Sequence, residues 1–199
     1  MKRRLFLRTT TIAVAGLPLS TIVGCNKNNQ DHIHCQTGED ILGPFYRAEA
    51  PYRNALNVLS EEGTPIIIHG TVRGGADCDT LLAQETLDVW QADDSGAYDN
   101  ESSDFKFRGR VKTNDQSFYE FMSILPGRYL NGNEFRPRHI HFLARASNHL
   151  DLVTQLYFEG DPYIPSDPWA SQADTGRIIK LNEVDEVLTG EFDINLQLR

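Results

Sequence analysis

Arg136-Pro137-Arg138-His139-Ile140-His141-Phe142 is the stretch around which this chain is organised. Side chains of a β-strand alternate between faces, so His139 and His141 point one way while Ile140 and Phe142 point the other. Two imidazoles on one face of a rigid strand are half of a metal site, and the opposite face is apolar enough for a core. On spacing alone the pair suits zinc, copper or non-haem iron, or two packed or surface histidines with no metal. Residues that could complete a site must come from elsewhere in the chain.

Outward from that stretch, short β-prone runs alternate with turn residues. Pro65 to Val72, Thr86 to Gln91, Tyr119 to Leu125, His139 to Ala144, Leu152 to Phe158 and Phe192 to Leu198 are the runs. Clusters such as Arg73-Gly74-Gly75, Asp93-Asp94-Ser95-Gly96 and Glu159-Gly160-Asp161-Pro162 separate them. Many short strands without a long amphipathic helix predict an all-β fold, an antiparallel β-sandwich with long loops and little helix. The 199 residues, 24% charged and 40% hydrophobic, suit one core and show no internal repeat.

The first 24 residues read as an export signal. Lys2, Arg3, Arg4 and Arg8 precede an apolar run from Ile12 to Gly24 that Pro18 and Ser20 interrupt, a poor match to a membrane span of about 20 apolar residues. Arg3-Arg4-Leu5-Phe6-Leu7-Arg8 resembles a twin-arginine signal, and Ile22-Val23-Gly24-Cys25 resembles a bacterial lipobox whose cysteine, Cys25, carries the lipid. The expected location is the cell envelope, lipid-anchored to a bacterial membrane; an ordinary N-terminal anchor helix would also keep the protein at the membrane. Residues 25–39 read as a polar tether and residues 40–199 as the folded domain. His32, His34 and Cys35 fall in the tether, which is too flexible to preorganise metal ligands.

Removing residues 1–24 leaves 15 basic and 28 acidic side chains, a net charge of −13. Such a surface disfavours nucleic acid and anionic lipid. In an oxidising compartment Cys35 and Cys78 can pair, or stand as two free thiols.

Five motifs follow one another in order: Gly43-Pro44-Phe45-Tyr46; Leu87-Asp88-Val89-Trp90-Gln91-Ala92-Asp93 with Gly96 and Tyr98; Phe107-Arg108-Gly109-Arg110; Ile124-Leu125-Pro126-Gly127-Arg128-Tyr129; and the stretch from Arg136 to Phe142. Thr154-Gln155-Leu156-Tyr157-Phe158 and Gly160-Asp161-Pro162 continue the pattern. The succession resembles the intradiol ring-cleavage dioxygenases, above all the catalytic core of the protocatechuate 3,4-dioxygenase type, over about residues 41 to 165.

That resemblance implies an enzyme whose cofactor is Fe(III), held by Tyr98, Tyr129, His139 and His141, with Tyr129 and His141 axial. Phenolate oxygens are hard anionic donors that suit a trivalent ion; otherwise each tyrosine is a buried aromatic with a satisfied hydroxyl. It implies that a catechol-type diol chelates the iron, displaces Tyr129 and is opened by dioxygen between its hydroxyl-bearing carbons to a muconate-type diacid. Arg136 falls on the family's active-site arginine, a cation that cannot lose its proton while charge develops on the substrate. Gln155 and Tyr46 fall on pocket positions, although a glutamine within an apolar strand needs a partner in any case.

Leu42, Ala97 and Ser117 depart from residues common in the family, which bears on substrate contacts and not on the metal. Lacking the helical dimerisation segment of catechol 1,2-dioxygenases, the chain is expected to complete its pocket alone or as a homo-oligomer. Two other readings stay open. One is a non-catalytic envelope module that binds aromatics or ferric catecholates; the other is a zinc or copper site that uses only the histidines.

Overall fold

The computed structural model describes residues 35–56 and 62–199. The export signal, the lipobox, Cys25, His32 and His34 lie outside the described residues.

The strands in chain order are β1 (Pro65–Gly74), β2 (Thr80–Leu81), β3 (Thr86–Gln91), β4 (Arg108–Lys112), β5 (Phe118–Ile124), β6 (Leu130–Asn131), β7 (Glu134–Phe135), β8 (His139–Arg145), β9 (Leu152–Phe158), β10 (Ile178–Ile179), β11 (Asn182–Val184), β12 (Val187–Glu191) and β13 (Ile194–Leu196). One sheet runs β11-β12-β1-β13, with β2 and β5 also paired to β1; a second runs β10-β9-β8-β3-β4; β6 and β7 form a separate hairpin. Helix among the described residues is limited to three 3-10 turns, Ile164–Ser166, Ala170–Gln172 and Thr175–Arg177, and no helix there is long and apolar enough to cross a membrane. The all-β sandwich expected from the periodicity is the observed architecture.

Alternation explains the layering. Ile66, Ile68 and Val72 of β1 and Tyr119 and Phe121 of β5 face Leu87 and Val89 of β3 and Ile140, Phe142 and Ala144 of β8 in one buried cluster. Phe142 is its centre, with ring centroids of Phe192 at 5.1 Å, Phe121 at 6.0 Å and Tyr119 at 6.3 Å. Burying these side chains is the main favourable contribution to folding.

The sandwich is not wholly antiparallel. β12 and β13 pair with β1 in parallel and in a single register, and β10 pairs with β9 in parallel. At the break between β12 and β13, the Asp193 carboxylate accepts from the Thr71 amide (2.7 Å) and hydroxyl (2.8 Å), replacing a backbone acceptor with a side chain.

The folded unit also begins before residue 40. Cys35 and Cys78 form a disulfide, the Thr37 amide donates to Asn195 O (3.1 Å), the Asp40 amide to Val153 O (2.9 Å) and the Thr154 hydroxyl to Gly38 O (2.8 Å). Residues 35–41 are therefore a strap fastened across strand ends rather than part of the tether.

Candidate active site

The site lies on the outer face of the five-stranded sheet, opposite the core. Cross-strand register puts Trp90 (β3), His141 (β8) and Gln155 (β9) in one row, and His139 beside Tyr157 in the next. Directly opposed residues of antiparallel strands share a face, so all five project away from Phe142 and its neighbours. Loops cover them: His139, His141 and Trp90 are each 2% exposed.

Two loops bring the tyrosines in. The Asp93 side chain accepts from the amides of Ser95 (3.0 Å) and Ala97 (2.8 Å), closing a tight turn that delivers Tyr98. Gly127 donates its amide to Asp93 O at 2.6 Å. A Cβ on Gly127 would lie 2.3 Å from Gly96 N and 2.4 Å from Asp94 O, and one on Gly96 (φ +91°) would lie 2.3 Å from Arg128 O. Only glycines permit this approach, and it sets the Tyr98 loop against the segment that carries Tyr129. Phe45 stacks on Tyr98 at 4.3 Å, while the buried Arg108 donates to Asp99 O (2.8 Å), Asn100 Oδ1 (3.1 Å) and Phe45 O. Both sides of the Tyr98 loop are thus held.

Tyr98, Tyr129, His139 and His141 come together. Ring centroids are 5.7 Å apart for Tyr98 and Tyr129, 5.7 Å for Tyr129 and His139, 4.9 Å for His139 and His141 and 6.2 Å for Tyr98 and His141. His139 Nδ1 lies 2.7 Å from Pro137 O, and a carbonyl can only accept, so Nδ1 carries the proton and Nε2 presents its lone pair. The Tyr98 hydroxyl donates to that Nε2 at 3.2 Å.

Burial, with the Arg136 charge adding to it, lowers the His139 pKa to about 4. Burial and His139 hold His141 well below the usual histidine range. Both imidazoles are neutral at pH 7. Burial and the neighbouring Tyr129 push the Tyr98 phenol upward, so its ionisation requires a nearby cation.

This donor set fits a trivalent metal ion. It combines two phenols that a cation would ionise with two neutral imidazoles, and His141 Nδ1 is buried with no hydrogen-bond partner. Among the described residues no group of three or more histidines, cysteines or carboxylates is placed to hold a metal.

Arg136 sits beside Tyr129, donating its backbone amide to Tyr129 O at 2.9 Å. Its guanidinium, 2% exposed, donates from Nε to Asp167 Oδ2 (2.7 Å) and from one amino group to Asp167 Oδ1 (3.2 Å) and the Tyr157 hydroxyl (3.2 Å). Burial alone would lower its pKa; the Asp167 carboxylate more than reverses that, and the cation is permanent. Gln155 is fully buried and donates to Asp40 Oδ1 (3.0 Å) and Ile41 O (2.8 Å), while accepting from Tyr157 (3.1 Å). Both its amide donors are engaged by the protein. Tyr46 packs edge-on against Trp90 at 5.0 Å, and Trp90 in turn stacks on His141 at 4.7 Å.

Sequence reasoning did not single out Trp90, Tyr157, Asp167 or Trp169. Alternation along β9 could have found Tyr157, two residues beyond Gln155 on the same face. Asp167 lies 31 residues beyond Arg136, in a loop with no periodicity to flag it.

The chain matches the family model described as Dioxygenase over residues 41–198. It is 32% identical over 184 residues to the protocatechuate 3,4-dioxygenase beta chain of Burkholderia cepacia, covering 81% of this chain and 76% of that one. It is 30% identical over 173 residues to the chlorocatechol 1,2-dioxygenase of Rhodococcus opacus, covering 75% and 66%. Against several such relatives it spans only about half of their length, 49% of the catechol 1,2-dioxygenase 1 of Acinetobacter lwoffii and 55% of the chlorocatechol 1,2-dioxygenase of Pseudomonas putida. Among solved structures, the dioxygenase domain of a dioxygenase carbohydrate-binding protein fusion from Streptomyces sp. SirexAA-E aligns with a TM-score of 0.73 at 34% identity, covering 82% of this chain and 99% of that one. The agreement runs from the strap through the last strand, and by sequence and fold alike the chain belongs to the intradiol ring-cleavage dioxygenases.

Proposed function

We propose that the protein cleaves a catechol-type aromatic diol with dioxygen, between the two hydroxyl-bearing carbons, to a muconate-type diacid, using Fe(III) held by Tyr98, Tyr129, His139 and His141. The observation that carries this reading is the convergence of two neutral, buried imidazoles and two phenols on one face of β8. When bound, ferric iron supplies a Lewis acid that gathers the diol as its dianion and makes it reactive toward dioxygen.

The chain's own groups do the rest. Pro137 O orients His139 through Nδ1, leaving Nε2 directed at the site. With a cation in the site, Tyr129 would stand as a phenolate, and its oxygen would be the group placed to take up a proton from a substrate hydroxyl. Arg136 holds a fixed positive charge beside Tyr129, where negative charge builds on the ring. Phe45 and Trp90, stacked on Tyr98 and His141, keep water from those faces. Gln155 acts through Asp40 and Tyr157, and Tyr46 through Trp90. The proposed setting is the cell envelope, with Cys25 as the lipid anchor.

Oxygen uptake on a panel of catechols, with the ring-opened diacid identified, tests the reaction. Iron binding with neither uptake nor product across the panel would favour a binding module. Loss of the visible tyrosinate-to-iron band in Tyr98→Phe, with a fall in bound iron, is expected; unchanged metal content in Tyr98→Phe and Tyr129→Phe would point to a histidine-only site.

A further inference from the structure

We propose that Asp167 is a positioning residue that fixes the orientation of the Arg136 guanidinium, an inference that rests on the reading of Arg136 given under the proposed function. Arginine is long and rotamer-rich, and a guanidinium that acts on a reacting ring must be held within about 0.5 Å of its working place. Three groups hold it. Asp167 takes the Nε edge side-on through both carboxylate oxygens, at 2.7 Å and 3.2 Å, the geometry in which an arginine-carboxylate pair is most directional. The Tyr157 hydroxyl accepts from an amino group at 3.2 Å. The Trp169 ring covers one face, 4.5 Å from Cζ. The Tyr129 side chain is a further polar neighbour of the guanidinium.

Asp167 organises two of these three restraints. Its Oδ1 accepts from the amides of Trp169 (3.0 Å) and Ala170 (2.7 Å), which seats the Trp169 ring on the arginine. Its Oδ2 accepts only from Arg136 Nε among the hydrogen bonds described. The two oxygens therefore share the work unequally: Oδ1 builds the loop and takes one amino group of the guanidinium, whereas Oδ2 is given to the arginine alone. The pair is buried, 2% exposed on each side chain, so water does not replace the lost bond when one oxygen is changed.

Asp167→Asn separates the two tasks, because the amide oxygen can still cap the loop while an NH2 group now opposes Arg136 Nε. The expected result in the iron-loaded protein is a fall in kcat of about tenfold to a hundredfold, with KM within about threefold and the iron content and visible band unchanged. In an Arg136→Gln background the same change should cost less than about twofold, since it acts through the arginine. In the metal-free protein, the Arg136 Nε–H resonance, identified by its loss in Arg136→Gln, should be protected from exchange in the wild type and shifted or broadened in Asp167→Asn. A wild-type kcat in Asp167→Asn, an equal cost in the Arg136→Gln background, or an unaltered Nε–H resonance would each overturn the assignment. Should the wild type turn over no catechol, the proposed function fails, and the Nε–H measurement still decides whether Asp167 aims Arg136.

Discussion

Acidifying the metal-free protein should weaken its folding through the two buried imidazoles. In the unfolded chain each histidine takes up a proton as pH falls through about 6.5. In the folded chain His139, buried and close to Arg136, stays neutral down to about pH 4, and His141 also stays neutral. Between those values the unfolded state binds more protons, so stability is full above pH 6.5 and declines toward pH 4. His139 alone contributes about 1.4 kcal/mol for each pH unit, or about 2 kcal/mol between pH 6 and 4.5, and His141 acts in the same direction. Carboxylates that the fold holds ionised, such as Asp99, whose pKa is about 2 because hydrogen bonds from Ser102 and Lys106 outweigh its burial, lose their contribution only below that window. Urea titrations followed by tryptophan fluorescence, with a chelator present, measure the effect at pH 7, 6, 5 and 4.5. Equal stability at pH 7 and 4.5, or the same slope in a His139→Gln/His141→Gln double variant, would refute the reasoning.

Gly127→Ala forces a methyl against Gly96 N and Asp94 O, both backbone atoms; bound iron should drop to roughly half or less while the fold survives, and a wild-type iron content would refute the role given to that approach. Replacing Cys35 and Cys78 by serine opens a link between residues 43 apart, which should lower stability by about 4 kcal/mol in denaturant titration. Phe142→Ala empties a fully buried core position and should cost about 3 to 5 kcal/mol, yet leave the visible band expected of the iron-loaded folded protein in place, because residue 142 faces away from His139 and His141.

Alternation made the core strands legible. Ile66, Ile68, Ile140 and Phe142 lie where a period of two puts them, and the same period put His139 and His141 together on the opposite face. The parallel return of β12 and β13 to β1 was not legible, since Val187 to Leu196 carries no mark of which strand it will join. Tyr98 and Tyr129 were legible only through the order of the motifs. What brings them together is one local aspartate turn and the close approach of two glycines, Gly96 and Gly127, from segments far apart in the chain. The segment from Cys35 to Glu39 read as tether because what fastens it is distant in sequence: Cys35 is tied to Cys78, and Thr37 and Gly38 bond to Asn195 and Thr154, more than a hundred residues away.

The two-sidedness of β8 bears on how this protein can change. Ile140, Phe142 and Ala144 answer to the core, whereas His139 and His141 answer to the loops above them. Substitutions at odd positions can alter reactivity while the sandwich stays assembled, and substitutions at even positions can alter robustness while the chemistry stays in place. An insertion or deletion of one residue enjoys no such separation. It would turn the imidazoles into the hydrocarbon interior and the phenylalanine toward the loops, so lineages of this strand should vary by replacement and keep its length.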